Sequence, residues 1–210
     1  MRISGLGKMG GRPMLVALLA LALLIPAAAQ AQFSDAYKFL KAVKDKDGQK
    51  VTDMIQKPGS TVINSRDVTS GETALHFVIA RRDGTWLNFL LAKGANPNLT
   101  DNAGDTPLLE AVEARFEEGV RTLIAHGAQL DKANDSGETP LIRAVQLRDV
   151  GLTRLLVTNG ANADKRDNIA GMSARDYAKR DDRSGRILAL LEAKADAPER
   201  EFGPTFGPSN

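Results

Sequence analysis

The sequence predicts an all-α repeat solenoid, and three observations carry that prediction. The segments Gly71-Glu72-Thr73-Ala74-Leu75-His76, Gly104-Asp105-Thr106-Pro107-Leu108-Leu109 and Gly137-Glu138-Thr139-Pro140-Leu141-Ile142 begin 33 residues apart. A second signal keeps the same step: Gly94-Ala95-Asn96, Gly127-Ala128-Gln129 and Gly160-Ala161-Asn162. Between these signals, apolar residues recur at helical spacing. A fixed period of this length marks units that cannot bury their own apolar faces and must stack. Such a stack exposes an extended surface and encloses no natural reaction chamber.

The chain starts with a segment outside this pattern. Arg2, Lys8 and Arg12 precede an unbroken apolar run from Met14 to Ile25, which Pro26 ends. Ala29-Gln30-Ala31 then matches the small-x-small pattern of a cleaved secretory signal, with a cut expected after Ala31 or, alternatively, after Ala29. The run holds 12 residues, short of the roughly 20 that a spanning helix needs. Residues 1–31 therefore read as a signal peptide, with no stable membrane insertion after its removal. Export is expected, with the periplasm as destination and secretion as the other possibility.

Removing the signal changes the charge. The whole chain is +2, and the signal holds three basic residues and no acidic one, so the mature chain is −1. A near-neutral chain argues against nucleic acid as partner. It also gives no basis for a polybasic membrane contact. Exported domains often carry disulfides, but this chain has no Cys, so burial alone must hold it together.

Each repeat reads as turn, helix, short loop, helix, loop. In the middle copy, Asp101-Asn102-Ala103-Gly104 is turn chemistry. Thr106 caps a helix, and Pro107 takes its first position, where a missing N–H costs nothing. Leu108, Leu109, Ala111 and Val112 form its apolar face. A second helix runs from about Glu118 to His126, and Gly127 ends it in left-handed geometry. The third copy repeats this with Thr139-Pro140, Leu152, Leu155, Leu156 and Gly160. In the first, Ala74 replaces Pro, and Trp86, Leu87, Phe89, Leu90 and Leu91 supply the second helix.

The ends are degenerate. Asp35 to Val43 and Lys50 to Gln56 make an opening helix pair, with Ala36, Phe39, Leu40, Val43, Val51, Met54 and Ile55 inward. Gly171-Met172-Ser173-Ala174 starts a last copy, whose second helix carries Ile187, Leu188, Leu190 and Leu191. Residues 195–210 hold two Gly-Pro pairs and no periodicity, so a disordered tail is expected.

The Gly-x-Thr-Pro-Leu box, the Leu-Leu-x-x-Gly-Ala segment and the 33-residue step resemble the ankyrin repeat. The resemblance spans residues 32–194, in repeats of about 33–70, 71–103, 104–136, 137–170 and 171–194. It implies a stack of helix pairs with β-turn fingers along one side. It also implies protein–protein binding through the fingertips and the concave helix face. His76 stands at the family's His position, but Leu109 and Ile142 replace it in the next two copies, where its inter-repeat bonding would be lost. The fingers Asp67–Gly71 and Asp167–Gly171 are one residue longer than Asp101–Gly104, which puts a continuous edge in doubt.

No set of residues meets the roles of nucleophile, base and orienter. His76 is explained by the repeat box, and His126 by a helix C-terminus. Two separate His and no Cys do not make a zinc site. Gly5 to Gly10 has the outline of a dinucleotide loop but lies in the signal. Asp45-Lys46-Asp47-Gly48 is a turn without calcium-ligand spacing, and Asp181-Asp182 reads as a solvated loop. The expectation is a chain with no catalytic site, cofactor, metal or small-molecule substrate.

Candidate partner-binding residues are of two kinds. Arg82, Arg115 and Arg148 each lie 11 residues after the repeat Gly, where the family often has Gly. They either compensate helix ends and bond loop carbonyls, or form a ladder for an acidic or aromatic partner. The finger positions Thr69, Glu72, Asn102, Asp105, Asp135, Ser136 and Glu138 are the second kind. Phe116, where Asp83 and Asp149 stand in other copies, either fills a gap or anchors a partner. The preferred function is a periplasmic, non-catalytic module for an unidentified protein partner. The alternatives are an effector acting on host or competitor proteins, a regulatory or protective partner of a periplasmic enzyme, and an envelope spacer.

Overall fold

A computed structural model describes residues 27–195 of the chain. Ten α-helices follow in order: α1 (Ala27–Lys44), α2 (Gly48–Gln56), α3 (Ala74–Ala80), α4 (Gly84–Ala92), α5 (Pro107–Glu113), α6 (Glu117–Ala125), α7 (Pro140–Gln146), α8 (Val150–Thr158), α9 (Ala174–Arg180) and α10 (Gly185–Ala195). Short 3-10 turns lie at Val62–Asn64 and Asp182–Ser184. Among the described residues there is no strand, only the isolated antiparallel bridges Arg66–Thr73 and Arg166–Ser173. The architecture is an all-α repeat solenoid.

Helices pair as hairpins, and each hairpin packs on the next, first helix on first throughout and second on second from α4 onward. Counting α1–α2 as the first repeat, α3–α4 is the second and α5–α6 the third. Four buried hydroxyl residues start the first helices: Thr73, Thr106, Thr139 and Ser173. Thr106 Oγ1 accepts from Leu109 N at 3.1 Å, and Thr139 Oγ1 from Ile142 N at 3.2 Å. Pro107 and Pro140 follow at the first helical positions. Asp47, Asp83 and Asp149 cap α2, α4 and α8 by accepting from Lys50 N, Trp86 N and Leu152 N. Gly94, Gly127 and Gly160 follow the second helices at φ 90°, 81° and 109°, where a Cβ would be strained.

The core is one continuous cluster running the length of the stack. Leu75, Leu108 and Leu141 take the same place in successive first helices, and all three are fully buried. Leu90, Leu123 and Leu156 do the same from the second helices. Trp86 and Phe89 are only half-buried and meet edge to face at 5.5 Å. With Gly48, Gln49, Thr52 and Thr85 they line a groove of about 390 Å³ between α2 and α4.

Residues 1–26 of the expected signal lie outside the described residues, and the expected cuts after Ala29 and Ala31 fall within α1. Of the expected tail, Ala195 ends α10, and residues 196–210 lie outside the described residues. No helix among the described residues is long and apolar enough to cross a membrane.

Candidate interaction surface

Four β-turn fingers project in front of the first helices. Each is closed by its own backbone: Asp67 N to Glu72 O (2.8 Å), Asp101 N to Asp105 O (3.0 Å), Asn134 N to Glu138 O (3.1 Å) and Asp167 N to Met172 O (3.0 Å). An Asp or Asn side chain rigidifies each turn. Asp101 Oδ1, for example, accepts from Ala103 N and Asp105 N. The fingers are also joined to one another. Asn102 N donates to Ser70 O (2.9 Å), Asp135 N to Ala103 O (3.2 Å) and Asn168 N to Ser136 O (2.9 Å). The extra residue in the two outer fingers is absorbed at the tip, and the edge runs unbroken, contrary to the doubt its length raised.

The structure sorts the finger candidates. Thr69, Asn102 and Asp135 are exposed at the tips, and Ser136 is half-buried. Asn102 spends its side chain internally, donating from Nδ2 to Thr69 O at 2.8 Å. Glu72 and Asp105 are half-buried: Glu72 accepts from Ser70 Oγ at 2.6 Å, and Asp105 from Asn134 Nδ2 at 2.8 Å. Glu138 is a correction. It is 8 % exposed and held by Arg143 at 2.5 Å, so it belongs to the interior of the joint and not to a docking edge. Burial pushes its carboxyl up, and Arg143 partly offsets this.

Two tip residues were missed. Val68 and Ile169, in the longer outer fingers, are 80 % and 81 % exposed. The signal available in the sequence was an apolar residue within a turn otherwise built of Asp, Asn, Ser, Thr, Ala and Gly.

The basic column is a set of helix ends. Arg82, Arg115 and Arg148 have φ of 54°, 49° and 53°, and Lys46 stands in the same place of the first repeat with φ 59°. Each donates its N–H to a carbonyl of the preceding helix, as Arg115 N does to Val112 O, and the next residue bonds to the carbonyl one residue further back, as Phe116 N does to Ala111 O. A side chain there costs about 1–2 kcal/mol relative to glycine. The side chains reach across to the next repeat. Lys46 Nζ meets Asp83 (2.8 Å), Arg82 donates to Arg115 O (2.8 Å), Arg115 to Leu147 O (2.6 Å) and Asp149 (3.1 Å), and Arg148 to Asp181 (2.5 Å). Arg148 holds the Asp181 carboxyl down at about 2. Asp181 therefore ties the last repeat to the one before it and is not merely solvated.

Phe116 is also a correction. It is 6 % exposed, with its ring packed on Gly119 and the Arg82 guanidinium 5.9 Å from its centroid. It fills the space under the loop and offers no free anchor.

The remaining face is formed by the first helices. Four residues beyond each cap lie Phe77, Glu110, Arg143 and Tyr177, all half-buried. Arg143 meets Glu113 at 2.9 Å as well as Glu138. Tyr177 donates to Asp167 at 2.5 Å. Burial raises the Asp167 carboxyl, but this hydrogen bond and the turn N–H groups outweigh it and hold it low. Glu110 has no such partner: its Oε2 is buried without a hydrogen bond. Burial first, then Glu72, Asp101 and Asp105, push its carboxyl up to about 8. Glu110 was not among the sequence candidates, because a Glu in a first helical turn reads as ordinary dipole compensation.

A family model for ankyrin repeats in three copies matches residues 24–134 and, overlapping, 75–167. The chain belongs to the ankyrin repeat family. Over 51 residues, 24 % of this chain, it is 45 % identical to a Fowlpox virus (strain NVSL) protein named for its ankyrin repeats. That stretch spans 15 % of the viral protein's length. Ankyrin repeats suggest a protein–protein interaction module, and the family is generally non-catalytic. In this ankyrin stack His76 does the work expected of its box. Its Nδ1 accepts from Thr73 N at 3.0 Å, and its Nε2 reaches Asp105 O at 3.2 Å. Leu109 and Ile142, at the matching positions, bury apolar surface instead.

Proposed function

We propose that this ankyrin repeat chain is an exported, non-catalytic binding module that holds a periplasmic protein partner along its finger edge. The observation that carries this reading is the backbone ladder through all four fingers, which presents Val68, Thr69, Asp135 and Ile169 from one rigid row. A preordered row loses little conformational freedom on binding. The half-buried Glu72 and Asp105 lie behind it and give that side of the surface an acidic character. Export rests on the charge, apolar run and small-residue pattern of residues 1–31.

The test is affinity capture from the envelope fraction, followed by mass spectrometry, with wild type beside a Val68→Ser, Asp135→Lys, Ile169→Ser variant. These sites are exposed, so the variant should melt as wild type does while losing the captured protein. Undiminished capture by the variant would remove this placement of the surface. Recovery of the chain from the culture medium rather than the periplasm would favour the effector reading.

A further inference from the structure

Two ionisable side chains are set into one joint of the stack, between the second and third repeats. His76, on α3, is fully buried. Its Nδ1 accepts from Thr73 N, which places the ring proton on Nε2, facing Asp105 O of the next repeat at 3.2 Å. One neutral ring thus caps α3 and ties it to the following finger. Across the joint, Glu110 on α5 has an oxygen shut away from solvent with no donor to meet it.

The charged groups around Glu110 do not compensate it. Glu72 comes from the preceding finger, and Asp101 and Asp105 from its own. Glu113, one turn on, and Glu138, from the next repeat, both hold Arg143 of α7. On α6, Glu117 pairs with Arg121, and Glu118 lies against Gly84. His76 faces the same Glu72, Asp101 and Asp105. The two following repeats lack this pairing. Leu109 and Ile142 take the place of His76, and Arg143 and Tyr177 that of Glu110.

We propose that the joint between the second and third repeats is a pH-operated hinge, held shut while His76 and Glu110 are both uncharged. In acid, the incoming proton must take Nδ1, which can then no longer accept from the Thr73 N–H, so the His76 half of the α3 capping box is lost. In alkali, Glu110 becomes a carboxylate with no donor at its buried oxygen and three carboxylates around it. Burial lowers the His76 pKa and raises that of Glu110, so the two charging steps flank neutrality. The hinge stands apart from the binding reading and does not require it.

Hydrogen–deuterium exchange on the full chain, corrected for intrinsic rates, reads the hinge directly. Amides of α3 and α5 should open more from pH 6 to pH 8, by up to about tenfold per unit for one linked proton, while α8 and α9 stay level. Glu110→Gln should abolish that rise, and at pH 5 it should leave opening at the start of α3 intact. An equal response in all repeats, or an undiminished rise in Glu110→Gln, overturns the hinge. Carboxyl ¹³C NMR on the wild-type chain needs no variant: a Glu110 midpoint near 8 supports it, and a midpoint in the ordinary Glu range overturns it.

Discussion

Phe116 lies so closely over Gly119 that a Cβ on the glycine would stand 2.6 Å from the ring's Cε1. The two residues explain each other. Other repeats place Asp83 and Asp149 at the Phe116 position and use them as helix caps. Here the cap is given up, the ring turns under the loop, and position 119 in the first turn of α6 must lack a side chain to admit it.

That pairing predicts a non-additive double-mutant cycle. Phe116→Ala should cost about 3–5 kcal/mol for a buried aromatic. Gly119→Ala should cost about 1–3 kcal/mol by overpacking. Once Phe116 is Ala, the same Gly119→Ala change should become neutral or gain up to about 1 kcal/mol of helix propensity. Chemical denaturation of the four proteins measures the coupling, and additive effects would contradict the contact.

At Arg115 two effects oppose each other. The left-handed backbone at φ 49° favours glycine, whereas the side chain bonds Leu147 O and Asp149. Arg115→Gly loses the bonds but relieves about 1–2 kcal/mol of backbone strain, so its net effect should stay within about 1 kcal/mol. Arg115→Ala loses the bonds and keeps the strain, and should be the less stable variant by about 1 kcal/mol. Equal midpoints for Ala and Gly would show that the strain is not there.

Glu110 makes stability fall as pH rises. Its folded pKa of about 8 lies above the ordinary 4.5, so between those values the folded chain holds the extra proton. The stabilisation is complete below 4.5 and lost by about 8, with a slope of at most about 1.4 kcal/mol per unit. Its partial exposure makes the observed slope shallower. Thermal melts at pH 5.5, 7 and 8.5 should show the decline in wild type and a flatter line in Glu110→Gln.

Leu108 occupies the middle of the stack and is fully buried. Leu108→Ala should cost about 2–5 kcal/mol, read as a shift of the denaturation midpoint. A wild-type midpoint would mean that neighbouring repeats do not press on this residue.

Much of the fold is legible in local chemistry. Thr106, Pro107 and Gly127 act within a single turn of helix, so their roles follow from neighbours in the chain, and the structure has each where its type requires. Leu108 and Leu123 are buried because helical spacing puts them on the shared face. The surface candidates fared differently. Asp105 and Asn102 are where turn residues should be, but whether their side chains are free depends on Asn134 and Thr69, 29 and 33 residues away.

The repeat period, the helix starts and stops and the ankyrin stack were set by short-range residue preferences, which act the same way in every copy. Whether Phe116 is an anchor or a filler, Glu138 an edge or an interior group, and Glu110 an ordinary acid or a carboxyl held at about 8 was settled only when neighbouring repeats closed on one another. Burial and the local field at a side chain come from groups a full repeat away, and no single period of the chain contains them.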